Sequence, residues 1–170
     1  MTPKQRLRRV AILCCHCLRN IALYRAWPDC GRPYINNQFW RTTNNNFIDI
    51  AVLEWCKLFA DLKGKHHWHR VVSDEGRFLS GLLQALSFTE NDLDEYVREM
   101  KVYRDKFVAH LDELETMQIP YLENARKSAA YLYDHLRTDA GYGSFFYDAP
   151  ESAETFYVEH SQNGKRVYSQ

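Results

Sequence analysis

Arg104 stands where the sequence asks for an apolar side chain. From Leu93 the apolar residues recur at Val97 and Met100 and resume at Phe107 and Leu111, the spacing of one helix face, and Arg104 occupies the step between. A guanidinium buried without a partner is costly, so it must find a carboxylate, a phosphate or a watery cleft beside the core. His110 follows six residues later and is the residue type that titrates nearest neutral pH. A planar, permanent cation and an imidazole are the pair that moves protons beside a developing negative charge. On an ideal helix six residues turn through about 600°, which leaves the two side chains roughly 120° apart. A shared site therefore needs a kink, a long arginine reach or a second subunit.

The elements that must position this pair are helical. Thr2-Pro3 opens a first helix, with the hydroxyl as cap and the proline at the first helical position. Its stripe is Val10, Leu13, Cys14, Cys17, Leu18, Ile21 and Tyr24, ending near Trp27-Pro28. Asp29 to Gln38 reads as a loop. A second helix carries Phe47, Ile50, Ala51, Trp55, Leu58, Phe59 and Leu62 on one broad face, with Glu54 inside the same stripe. A carboxylate there is at the stripe's edge or paired, and pairing with Arg104 would give that arginine a purely structural role. Ser73-Asp74-Glu75 starts a third helix that buries Phe78, Leu79, Leu82, Leu83 and Leu86. Thr89-Glu90-Asn91-Asp92 caps the helix that carries the motif. Ile119-Pro120 breaks the pattern, and a fifth helix runs from there to about Ala140-Gly141.

Cys14 and Cys17 lie on the first stripe and read as packing residues, because with His16 they supply too few ligands for a zinc site. Five cysteines form no sensible disulfide framework, so reduced thiols and a cytoplasmic protein are expected. His66, His67 and His69 invite a metal reading, but neighbours so spaced point different ways; a solvent-facing or phosphate-contacting loop competes with it. The apolar run Val10 to Leu18 is too short to span a bilayer.

With 22 basic and 22 acidic residues the chain has no net charge, so no global field marks a nucleic-acid binder. The distribution is uneven. Residues 1 to 32 carry seven basic side chains against Asp29 alone, a stretch able either to track phosphates or to serve as a solvated helix face. Residues 141 to 170 form an aromatic-rich tail in which Gln162-Asn163-Gly164 separates two short runs, the pattern of a β-hairpin packed on the helices or on a partner.

The sequence Arg104-Asp105-Lys106, followed by Ala109-His110 and Asp112, resembles the HEPN superfamily. These are small all-helical nucleotide-binding and ribonuclease domains whose signature is an Arg, often followed by a polar residue, with a His a few positions on. The abortive-infection-like branch is the most similar, and the resemblance covers residues 1 to 138. The helical stretches read above make an all-α antiparallel bundle of four to five helices over residues 1 to 140, with the small C-terminal hairpin appended, similar to HEPN domains. The resemblance implies a metal-independent endoribonuclease without cofactor, acting in phage defence or a toxin-like stress response, with Arg104 and His110 of two copies facing across a homodimer cleft. In that reading Asp105 orients one of the pair, and Tyr103 or Lys106 holds the RNA backbone. RNA or a nucleotide, and an antitoxin or regulatory protein, are the implied partners, with no membrane. Asp112 stands where members modified by a partner nucleotidyltransferase carry Tyr. The alternative is a non-catalytic HEPN-like dimer that binds nucleotide, RNA or protein and uses Arg104 as an anchor.

Overall fold

The computed structural model describes residues 1–27, 37–108, 118–138 and 146–169. Six α-helices occur among them: α1 (Pro3–Ala26), α2 (Gln38–Phe59), α3 (Glu75–Leu86), α4 (Glu90–Tyr103), α5 (Leu122–Thr138) and α6 (Ala153–Tyr168). A short 3-10 turn, Trp68–Arg70, lies between α2 and α3, and α4 continues as a π-helical stretch, Arg104–Val108.

The helix starts follow their caps. Thr2 accepts from the Gln5 N–H while the Gln5 side chain accepts from Thr2, and Thr89 and Asp92 close the same reciprocal box on α4. Asn37, Asp74 and Ser152 cap α2, α3 and α6. Each side chain satisfies a backbone donor that the helix cannot. The connection from α3 to α4 is short because Ser87 takes φ 57°, a left-handed conformation in which the N–H groups of Ser87 and Phe88 turn back to Gln84 and Leu83.

Helix α1 is the central element, packed against α2, α5 and α6, while α3 leans on α5 and α4 on α2. Its buried face holds Val10, Cys14, Cys17, Leu18 and Ile21, as the stripe requires. Cys14, Cys15, Cys17 and Cys56 are free thiols. At the middle of the core the Trp55 indole N–H donates to Ser128 Oγ at 2.8 Å, and that hydroxyl donates in turn to the Asn124 carbonyl at 2.7 Å. A buried indole needs such a partner. Arg25, Glu123, Arg126 and Glu154 link α1, α5 and α6 in one chain of ion pairs.

Three expectations are corrected. The C-terminal hairpin is absent: residues 153–168 form α6, whose N-terminus docks through the Ala153 N–H on Asp134 Oδ1 at 3.0 Å. Asn163-Gly164 is not a turn but the point where α6 meets α1, since a Cβ on Gly164 would come within 2.7 Å of the Ala26 Cβ. The bundle is not wholly antiparallel either: Phe156 lies beside Ile12, Gly164 beside Ala26 and Tyr168 beside Trp27, so α6 runs in the same direction as α1. Finally, α2 starts at Gln38, where the expected loop ends, but stops at Phe59, short of Leu62. Ile50 and Leu62 are exposed, and the buried face is Ile48, Ala51, Val52, Trp55, Cys56, Leu58 and Phe59.

No helix among the described residues is long and apolar enough to cross a membrane.

Candidate functional site

Helix α4 buries Tyr96, Met100 and Tyr103, and Arg104 is the residue at which its winding changes from α to π. A π turn pairs each N–H five residues back, widens the helix, is rare, and is frequently found at functional sites. The Arg104 side chain is 18 % exposed, lying at the margin of the core rather than in it. Two carboxylates hold it: Nη1 donates to Asp61 Oδ1 at 2.7 Å and Nε to Asp105 Oδ1 at 2.7 Å. Asp105, followed by Asp61, holds the guanidinium pKa above its ordinary value against the burial that works the other way.

This arrangement corrects the expected partner. Glu54 does not reach Arg104; it pairs with Lys57 at 3.0 Å on its own helix and faces His16 and Cys17 of α1. Asp61 takes its place from the turn that follows α2, where its N–H donates to the Cys56 carbonyl and its carbonyl accepts from the Gly64 N–H at 2.6 Å. The approach leaves no room for a side chain, because a Cβ on Gly64 would lie 2.8 Å from that carbonyl oxygen. That Arg104 needs a carboxylate, a phosphate or a watery cleft was visible in the sequence. The choice of Asp61 over Glu54 depended on where α2 stops.

The other residues of the motif separate. Tyr103 is a core residue whose hydroxyl donates to Asp49 Oδ1 at 2.9 Å, so it is tied to α2 and is not placed to hold a ligand. Lys106 is exposed and Phe107 half-buried, its ring 5.8 Å from that of Tyr103. His110 and Asp112 lie outside the described residues. Cys56, a neighbour of Arg104, donates its thiol to the Met100 carbonyl at 3.7 Å, and burial pushes its pKa up to about 12; it packs as a neutral thiol.

The three histidines near residue 67 also part company. His67 is buried, against the expectation of a solvent-facing loop. Its Nε2 donates to the Phe59 carbonyl at 3.0 Å and its Nδ1 accepts from the His69 N–H at 3.4 Å, so both ring nitrogens are occupied. His69 pairs with Glu75 at 2.7 Å. Among the described residues no group of three His, Cys, Asp or Glu side chains is placed to hold a metal ion.

Chemically, the site offers one permanent cation fixed by two acids, with Nη2 making no hydrogen bond to any described residue. Such a fork can receive one anionic oxygen without losing its orientation. Comparison with models of known families, with characterised proteins and with solved structures finds no match to this chain.

Proposed function

We propose that this chain is a metal-independent endoribonuclease of HEPN type, acting as a homodimer with Arg104 and His110 as its catalytic pair. The observation that supports the reading is the state of Arg104. It begins the motif, it begins the π turn, and its guanidinium is held in one orientation at the edge of the core by Asp61 and Asp105. Preorganised charge of this kind stabilises a transition state without rearrangement. In the reaction the 2′-oxygen of RNA attacks the adjacent phosphorus and the bond from phosphorus to the 5′-oxygen breaks, leaving a 2′,3′-cyclic phosphate and a 5′-hydroxyl. His110 moves the proton that the attack releases or that the leaving oxygen takes up, and Arg104 receives the charge on the non-bridging oxygens. Phage defence, under an antitoxin-like regulator, is the setting this activity fits.

One observation favours the second reading, a HEPN-like module that binds nucleotide, RNA or protein without cleaving it. Two carboxylates already balance the Arg104 charge, so the arginine also serves as a clasp between the turn after α2 and the end of α4. The experiment is incubation of the pure protein with mixed RNAs in chelator, beside His110→Ala and Arg104→Lys. The nuclease reading expects cyclic phosphate ends from the parent and a loss of roughly two to four orders of magnitude in His110→Ala, the usual share of a general acid or base. It expects Arg104→Lys to fail as well, since an ammonium lacks the fork. No cleavage by the parent, or cleavage undiminished in His110→Ala, leaves the binding module as the better account.

A further inference from the structure

A cleft between α1, α5 and α6 takes no part in the Arg104 cluster and shares none of its residues. It encloses about 320 Å3, within the range of small-molecule sites. Its walls are apolar, formed by Ile12 of α1, Phe146, Pro150 and Phe156 of α6. Its rim carries three bases, Arg8, His16 and Arg19, from one side of α1, and one acid, Asp148.

These bases differ in how they are satisfied. Arg8 is paired with Asp148. Arg19 is half-buried and makes neither hydrogen bond nor ion pair with any described residue. Its charged neighbours are further bases, His16 and, across on α6, His160, which sits edge-on to Phe156 with ring centroids 4.3 Å apart. Burial first, and the Arg19 charge second, lower the pKa of both histidines, with Glu54 and Glu159 the acids that oppose this. A half-buried guanidinium over apolar walls, with no carboxylate partner among the described residues, is a cation suited to an external anion. Cys15 lines the same cleft, but burial pushes its thiol up to about 11, so near neutral pH it contributes surface rather than a nucleophile.

We propose that this cleft binds a small amphipathic anion, with an aromatic or branched aliphatic body against Ile12, Phe146 and Phe156 and a carboxylate or phosphate ester held by Arg19 and His16. The enclosure matches a compact body better than an extended strand, and the charge-assisted fork of Arg19 selects for the anionic head.

The test uses the full chain with 2-naphthoate and its uncharged counterpart 2-naphthalenemethanol, followed by calorimetry and ligand-observed NMR. Naphthoate is expected to bind one per chain, with the alcohol at least about tenfold weaker, the usual minimum share of a charged hydrogen bond. Arg19→Gln is expected to weaken naphthoate binding by about tenfold or more. Ile12→Glu, at a position 41 % exposed, is expected to do the same by placing a like charge at the mouth, with both variants melting like the parent. The proposal is overturned if naphthoate fails to bind at millimolar concentration, if the alcohol binds equally well, or if Arg19→Gln binds like the parent. Displacement of naphthoate by a mixed oligoribonucleotide at lower concentration also overturns it, because the basic rim would then belong to an RNA surface.

Discussion

Asp61 and Arg104 close the space between the turn after α2 and the end of α4, Nη1 donating to Oδ1 at 2.7 Å. The carboxylate is 40 % exposed, so solvent screens the pair, and Asp61→Asn is expected to cost about 0.5–1 kcal/mol in urea unfolding. If Arg104 is catalytic, the same variant slows RNA cleavage by more than that loss of stability explains, since the guanidinium loses one of the two groups that orient it. Cleavage undiminished in Asp61→Asn would remove Asp61 from the site.

Trp55 and Ser128 provide a sharper stability test, because their hydrogen bond is fully buried. Ser128→Ala leaves the indole N–H without a partner and is expected to cost about 1–3 kcal/mol. Trp55→Phe removes donor and volume together. The double variant is expected to cost less than the sum of the two, which a urea double-mutant cycle reads directly. Strict additivity would mean that the two groups do not interact.

Gly164 opposes helix propensity to packing. An alanine in an exposed helix interior stabilises by about 1 kcal/mol over glycine, but here its Cβ would come within 2.7 Å of the Ala26 Cβ and 3.2 Å of Leu23 Cδ2. Overpacking of this kind costs about 1–3 kcal/mol. Gly164→Ala is therefore expected to lower the thermal midpoint, and a rise would mean that α6 does not press on α1 there.

His67 gives the fold a pH dependence of definite sign. Burial is the main reason its pKa is lowered, outweighing the hydrogen bond to the Phe59 carbonyl. The unfolded chain thus binds the proton more readily than the folded one, and stability rises with pH wherever that difference holds. The contribution is complete above the ordinary histidine value of about 6.5 and is lost as pH falls below it. His67→Gln keeps a donor for Phe59 and cannot titrate. Between pH 7.5 and 5.5 the parent should lose more of its urea midpoint than this variant, and equal losses would clear His67 of the effect.

Helix starts were the most legible part of the fold. Thr2-Pro3, Asp74 and Thr89 each announce a helix by a local hydrogen bond that needs no tertiary context. The start of α2, at the end of the expected Asp29 to Gln38 loop, carries little apolar period, because apart from Phe39 and Trp40 the stretch Gln38 to Asn46 is polar and mostly exposed. Helix α6 was misread through Asn163-Gly164, a dipeptide that favours hairpins locally; its packing reason, the nearness of Ala26, is set by a helix far away in the chain. Yet Ala153, Phe156, Tyr157, Gly164 and Tyr168 already had helical spacing. Within the site, Arg104 was found as the residue that breaks the stripe, while Asp61 was missed because it lies beyond the end of α2 rather than on its face. His110 lies outside the described residues, so the motif is seen here through its arginine alone.

The side-by-side packing of α1 with α6 bears on how the molecule is made. Of the six described helices, α1 leaves the ribosome before the other five and α6 after them. Until α6 arrives, Leu23 and Ala26 of α1 lack its cover, and the ion pair from Arg126 to Glu154 cannot form. Joining the two ends of the described chain is the most distant closure the bundle requires, and distant closures are slow. The growing polypeptide thus carries an unfinished first helix through most of its synthesis, a stage at which exposed apolar surface invites association with other chains.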